Sequence, residues 1–474
     1  MGSSTNIVEW RKRTAKIVGQ ENIITESSDL IPFSHDEYAL DTFNRMPLAV
    51  VKPATEEEIQ GIVRLCRELK VPVTARGGGT GLSGACVPAE QGIVLSLERL
   101  NSVVDADSAN HTITVQAGVS LKKLYEEVDK MGLYFPPHPG DEGAFIGGAV
   151  ATNAGGARAV KYGTIRRFVL GLQVVWADGR LSNLGGKFIK SSSGYNLTDL
   201  IIGSEGTLGI ITRVTLSLLP RPGVISTLIA PFNSVKQAIE TVPDILSRGI
   251  LPTAVEFVQH EVISCAEQLL KKSWPTHDGS ASLLFILDGR SEDDLLSQAK
   301  KLAELLESGG ALDVLIADSP ERQEEILTLR SMIYEALREG TVELFDICVP
   351  RSEIAGHVEF VKEVEERYKI QLPTYGHAGD GNIHTHYMRK AISNGLLAAE
   401  ITGWRQLHEQ VREELFADAA ARGGVISGEH GIGRVKREYL EKNLGAVNVE
   451  IMRLIKHALD SENILNPGKV VLWQ

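Results

Sequence analysis

The chain has 474 residues, of which 43% are hydrophobic and 46 are glycine, enough for two or three packed cores and too apolar for extensive disorder. A formal net charge of −12 and a pI near 5.6, with acidic and basic residues interspersed, argue against a nucleic-acid groove built on a basic field. Cys66, Cys86, Cys265 and Cys348 lie far apart without a CxxC pair, which disfavours a disulfide framework and a thiolate metal site and points to a reducing cytoplasm.

The first residues carry Glu9, Arg11, Arg13 and Lys16 among few apolar side chains, so no signal-peptide core is expected, and no run approaches membrane-spanning length. A cytoplasmic protein is expected, or one peripheral to a membrane through a partner. Thr55 and Glu58 then form a capping box ahead of Ile59, Ile62, Val63, Cys66 and Leu69 at helical spacing, with the helix ending at Lys70. Residues 71–74 read as a buried strand running into Arg76-Gly77-Gly78-Gly79-Thr80-Gly81-Leu82-Ser83-Gly84. Strands at 93–97 and 112–116, a capped helix at 120–131, and strands at 172–176 and 211–218 follow, a mixed α+β order without regular βαβ winding. Beyond Pro222, apolar strands at 254–258, 283–287 and 314–317 alternate with charged helices such as 292–307, which reads as a second domain. The tail returns to glycine-rich sequence at 423–433 and at Asn466-Pro467-Gly468-Lys469.

Gly79, Gly81 and Gly84 satisfy GxGxxG, but that dinucleotide fingerprint requires a helix starting at the loop, and Pro88 and a strand follow instead. What remains is simpler physics: consecutive glycines expose backbone N–H groups that can surround a pyrophosphate. Pro137-His138-Pro139-Gly140 with Gly147-Gly148, then Asn153-Ala154-Gly155-Gly156, then Gly203-Ser204-Glu205-Gly206-Thr207-Leu208-Gly209 are read as further loops of this kind. One long ligand lying against backbone accounts for all of them, and FAD has the length.

A second constellation comes late. Tyr375-Gly376-His377-Ala378-Gly379-Asp380-Gly381-Asn382-Ile383-His384 places two imidazoles about a glycine turn, and Gly428-Glu429-His430-Gly431 adds a carboxylate and a third imidazole. Two histidines and a carboxylate suit Zn2+, Mn2+ or Fe2+ and leave coordination positions open for a substrate's oxygens. Because a strand over 382–388 would put His384 and His386 on one face, His386 is a lesser candidate.

The succession RGGGTGLSG, PPHPG, GGAVATNAGG, KYG, SSSGYNLTDL, GSEGTLGIIT, GHAGDGNIH, SGEHGIG and NPGK resembles the vanillyl-alcohol-oxidase superfamily, in the branch of D-lactate dehydrogenases, glycolate oxidase flavoprotein subunits and D-2-hydroxyglutarate dehydrogenases. It covers the chain from about Pro53 to Lys469. The resemblance implies an α+β fold: a two-part FAD-binding domain over 1–220, a substrate cap with an antiparallel sheet over 221–422, and a helical segment over 423–474 that returns to the flavin. It also implies that Arg76, Gly77, Gly78, Gly79, Thr80, Gly81, Ser83 and Gly84 hold the pyrophosphate, while Pro139, Gly140, Gly148, Asn153, Gly156, Gly206, Ile211 and Asn466 line the rest of the groove. Thr80 stands where covalent-flavin relatives carry histidine, so the FAD is expected to be non-covalent. His377, His384 and Glu429 resemble the family's metal ligands, Asn382 a substrate contact, His430 the catalytic base and Arg330 the carboxylate-binding arginine.

Hydroxyglutarate enzymes carry a lysine in the segment equivalent to 344–346, and this chain is read as having Phe345 in its place. A phenyl ring cannot pair with a second carboxylate, which favours D-lactate, then glycolate. Lacking ligands for an iron–sulfur cluster or haem, the chain is expected to pass electrons to an external acceptor: an electron-transferring flavoprotein, a quinone or an iron–sulfur subunit. The rival readings are D-2-hydroxyglutarate oxidation, a non-redox flavoenzyme of the ether-lipid-synthase kind, whose consecutive-histidine motif is missing here, an accessory flavin subunit, and a metal hydrolase.

Overall fold

The computed structural model describes residues 4–40, 43–89, 91–317 and 319–473. The chain forms two compact units: the first comprises Met1–Ala154, Thr164–Arg221 and Glu429–Gln474, the second Gly155–Gly163 and Pro222–Gly428. Among the described residues no helix is long and apolar enough to cross a membrane.

In the first unit the Glu56–Leu69 helix starts where its cap predicts. Thr55 Oγ1 accepts from Glu58 N–H at 3.2 Å, while the Glu58 carboxylate accepts from Ala54 N–H at 2.6 Å, one residue earlier than a standard box. Ile59, Ile62, Val63 and Cys66 are fully buried along one face, and each aliphatic side chain so buried contributes about 1.5–3 kcal/mol. The helix ends in left-handed Lys70 at φ 55, and Val71 N–H still donates to Cys66 O at 2.8 Å. Val71 therefore still serves the helix end, and the strand runs over Val73–Arg76 rather than 71–74. It pairs in parallel with Ile93–Ser96, which in turn pairs in parallel with Val50–Val51. A five-stranded antiparallel sheet follows, its neighbouring strands in the order Val103–Asp107, Thr112–Gln116, Ile210–Ser217, Val169–Val175 and Leu181–Gly185.

One expected loop is a helix. Gly147 and Gly148 lie within Ile146–Thr152, although glycine in a helix interior costs about 1 kcal/mol relative to alanine. Packing explains Gly147, since a Cβ there would lie 2.6 Å from the Ala117 methyl.

The second unit is built on a seven-stranded antiparallel sheet with neighbours in the order Leu315–Ile316, Val224–Phe232, Ala281–Gly289, Ala254–Gln259, Thr374–His377, Asn382–Met388 and Thr341–Cys348. Both faces are covered, so polar residues on either face are buried and must be paired. On one face Glu343, 1% exposed, accepts from Arg412 Nε at 2.9 Å and Nη2 at 2.7 Å and pairs with His408 at 2.7 Å, all from the Trp404–Ala421 helix. Burial would raise this carboxyl, but Arg412 and then His408 hold it down at about 2. Replacing Arg412 by leucine strands the Glu343 charge. The expected loss is about 3–5 kcal/mol, read as a lower urea midpoint, whereas Arg405→Ala, whose guanidinium is exposed, stays within about 1 kcal/mol.

Candidate functional site

The glycine loop of the first unit is framed before any ligand arrives. The Arg76 guanidinium donates to His35 O at 2.7 Å and Pro32 O at 3.0 Å and fills the space beside Gly79. Buried Asp36, which sequence reasoning missed, accepts from Gly84 N–H at 2.7 Å and Tyr38 N–H at 3.2 Å; burial raises its carboxyl to about 6. Between these anchors, no backbone N–H from Gly77 to Ser83 donates to an acceptor among the described residues. Such a run of free donors is an anion nest. A Cβ on Gly77 would lie 3.8 Å from Gly148 Cα, so the loop meets the Ile146–Thr152 helix at its glycines.

The remaining cradle residues divide by what their side chains do. A Cβ on Gly148 or Gly140 would meet no protein atom within 4 Å. Pro139 is half-buried, as are Thr80 and Gly81, and Ile211 is buried in its strand. The Asn153 side chain caps locally, accepting from Thr164 Oγ1 at 2.9 Å and Arg166 N–H at 3.3 Å. Gly156, by contrast, belongs to the second unit. Asn466 donates to Ala85 O at 2.9 Å and Glu205 O at 2.7 Å, and its Oδ1, like Ser83 Oγ, is buried without a partner among the described residues. Free N–H groups, two orphaned oxygens and open glycine positions fit a long phosphate-bearing group such as FAD.

Glu205 was passed over as part of a glycine cluster. It sits at φ 52, and its carboxylate accepts from Ile432 N–H at 2.7 Å and Gly433 N–H at 2.8 Å. Those bonds hold the loop on which Glu429 and His430 stand, with a His430 ring nitrogen 3.7 Å from the Glu429 carboxylate.

In the second unit, strand register collects the other expected residues. Glu256 pairs with His377, His377 with Asn382, Tyr375 with His384, Asp346 with His384 and Leu344 with His386, and directly opposed residues share a face. The His377 and His384 rings stand perpendicular with centroids 5.3 Å apart. Arg330, at the end of the Pro320–Ser331 helix whose Ile326 and Leu329 are buried, reaches the same face and lies 4.8 Å from the Tyr375 ring centroid. Glu256, 2% exposed and unforeseen, joins them: Oε1 lies 2.6 Å from His377 Nδ1, and Oε2 accepts from Arg330 Nε at 2.8 Å and from Nη2. Burial pushes its carboxyl up, but Arg330 and then His377 bring it down to about 2. Asn382 donates to Asp346 Oδ1 at 2.7 Å and Ile347 O at 3.2 Å, and Ser427 donates to Asp346 Oδ2 at 2.9 Å. A histidine backed by a carboxylate fits ligation of a divalent metal through its other nitrogen.

Two expectations change. Both nitrogens of His386 are engaged, with Thr341 Oγ1 at 2.7 Å and Tyr375 OH at 3.2 Å, so it is a hydrogen-bonded core histidine. Phe345 does not face the histidines, because its ring packs edge-on against Phe416 at 5.8 Å on the opposite side of the sheet. Leu344 holds the place beside His386 instead, and it is equally unable to pair with a carboxylate.

The two neighbouring glycines separate fold from ligand. Gly147→Val should collide with Ala117 and lower the melting temperature of the flavin-free protein. Gly148→Val should leave that temperature within about 3 °C yet weaken FAD binding at least about tenfold, as measured by flavin fluorescence titration.

Residues 47–185 match the family described as "FAD binding domain", and residues 221–470 match "FAD linked oxidases, C-terminal domain". The chain is 45% identical over 423 residues to a D-lactate dehydrogenase of Archaeoglobus fulgidus, covering 89% of this chain and 91% of that protein. It is 36% identical over 465 residues to glycolate oxidase subunit GlcD of Bacillus subtilis, covering 97% and 96% respectively. In fold it resembles p-cresol methylhydroxylase, with a TM-score of 0.78 at 18% identity over 99% of this chain and 98% of that one.

Proposed function

The chain belongs to the FAD-linked oxidase family, and from that premise we propose that it oxidises a D-2-hydroxy acid, D-lactate before glycolate, to the 2-keto acid. The observation that carries this reading is the sheet face that Arg330, His377, Asn382 and His384 share, with buried Glu256 bonded to Arg330 and His377 and buried Asp346 bonded to Asn382 and opposite His384. A guanidinium and paired imidazoles on one wall suit an anionic, oxygen-rich substrate. The names of the Archaeoglobus and Bacillus relatives supply the substrate class.

Bound FAD would supply a hydride acceptor, and a divalent metal, Zn, Mn or Fe, would supply positive charge for an oxygen-rich substrate. His377, His384 and Glu429 hold the metal in this reading. Arg330 binds the carboxylate through the Nη1 end of its fork, since Nε and Nη2 serve Glu256. Asn382, its amide nitrogen already bonded, offers Oδ1 to the substrate. His430 takes the 2-hydroxyl proton on a neutral imidazole nitrogen, the side chain best matched to that task near neutral pH. Apolar Leu344 disfavours D-2-hydroxyglutarate, whose second carboxylate would be buried unpaired. Thr80 favours dissociable FAD. The division of labour is an FAD-binding domain over 1–220, a substrate cap over 221–422 and a segment over 423–474 serving the flavin. Electrons leave to an external acceptor, a quinone, an electron-transferring flavoprotein or an iron–sulfur subunit; the Bacillus relative's designation as a subunit favours a protein partner.

Anaerobic stopped-flow against D-lactate, L-lactate, glycolate and D-2-hydroxyglutarate tests this. D-Lactate should bleach the flavin fastest, and His430→Asn should keep its FAD while bleaching slows by about 10²- to 10⁴-fold. Bleaching by none of these acids would overturn the assignment and leave the accessory or non-redox readings.

A further inference from the structure

Glu256 interrupts the otherwise apolar run from Ala254 to Val258. Ala254, Val255, Phe257 and Val258 are all essentially buried, and a lone carboxylate among them must be compensated to persist. Its two oxygens are divided between two partners on the same sheet face: Oε1 meets His377 Nδ1 at 2.6 Å, and Oε2 receives Arg330 Nε at 2.8 Å together with Nη2. An ionised carboxylate only accepts, so the His377 nitrogen facing it must carry the hydrogen. In the neutral ring, the form that a metal requires, that assignment leaves Nε2 with the lone pair. On the other side, the Glu256 contact and the Tyr375 ring, 4.8 Å from the guanidinium carbon, fix the plane of Arg330 and leave Nη1 outside the pair.

We propose that Glu256 is the positioning residue of this wall: one oxygen locks His377 in the tautomer that can bind a divalent metal, and the other sets the fork of Arg330 for a substrate carboxylate. The inference rests on the reading that His377 is a metal ligand and Arg330 a carboxylate binder. Glu256 touches neither metal nor substrate itself; it acts through two neighbours that do. A glutamine in its place cannot serve both. Its amide oxygen goes to Arg330 and its NH2 turns to His377, which must then accept at Nδ1 and carry its hydrogen on Nε2, where no metal can bind.

The test uses the FAD-loaded protein and Zn2+ alone, with affinity measured by competition against a chromophoric chelator. Glu256→Gln should bind Zn2+ about 10- to 100-fold more weakly than the parent, the range found when a carboxylate behind a ligating histidine is lost. Arg330→Met, which leaves the Glu256–His377 bond in place, should stay within about threefold of the parent, less than half a decade of affinity. Because Glu256→Gln leaves a buried guanidinium unmatched and can fail to fold, the double variant Glu256→Leu/Arg330→Met removes both charges together, offers His377 Nδ1 no acceptor from position 256, and should show the same weakening. FAD content and near-ultraviolet circular dichroism confirm folding in each case. Equal Zn2+ affinity in parent and double variant would overturn the positioning role while leaving the metal reading intact. A parent that binds no Zn2+ would overturn the metal reading and the inference with it.

Discussion

The second unit is organised around a charge that cannot be left alone. Glu256 is 2% exposed in the middle of an antiparallel sheet, and the residues that keep it ionised are those the proposed chemistry needs, Arg330 and His377. An uncompensated carboxylate at such a depth costs several kcal/mol, so docking of the Pro320–Ser331 helix on the sheet is favoured by these side chains. Packing and preorganisation are the same event here. The opposite face repeats the device, with His408 and Arg412 of the Trp404–Ala421 helix closing over buried Glu343.

The first unit solves a different problem, holding open a surface made of backbone. Its loop from Gly77 to Ser83 has N–H groups with no acceptor among the described residues, and such a loop would wander without external anchors. Arg76 and Asp36 supply them at either end, one through the carbonyls of Pro32 and His35, the other through Gly84 N–H. Glu205 performs the same service for the Glu429–Gly433 loop by accepting two successive backbone N–H groups. In each case a buried charged side chain is bonded to backbone so that neighbouring backbone remains available to a ligand.

Much of this was legible in the sequence, and what was not has identifiable reasons. The Glu56–Leu69 helix, the strands Thr112–Gln116 and Asn382–Met388 and the order of the glycine motifs were readable because caps, alternation and glycine spacing are local signals. Gly147 and Gly148 looked alike, yet one makes room for Ala117 and the other faces open space, a distinction carried by residues thirty positions away. Phe345 was matched to the lysine position by resemblance, and alternation could not correct it, because in Val342-Glu343-Leu344-Phe345-Asp346 both faces are buried and both mix polar with apolar residues. Asp36, Glu205 and Glu256 escaped notice since their partners are distant in sequence. Only Glu256 left a trace, a lone acid in an apolar run, and that trace calls for a partner without naming it.

Metal content decides the central claim that this chain is a metal-assisted flavin dehydrogenase with its imidazole ligands on the Glu256 face. Elemental analysis by inductively coupled plasma mass spectrometry on purified, FAD-loaded protein, beside a His384→Ala variant with the same flavin content, is the direct measurement. The account predicts a divalent transition metal in stoichiometric amount with the flavin in the parent and a background level in the variant. A parent without metal, or a variant that retains as much as the parent, would contradict it.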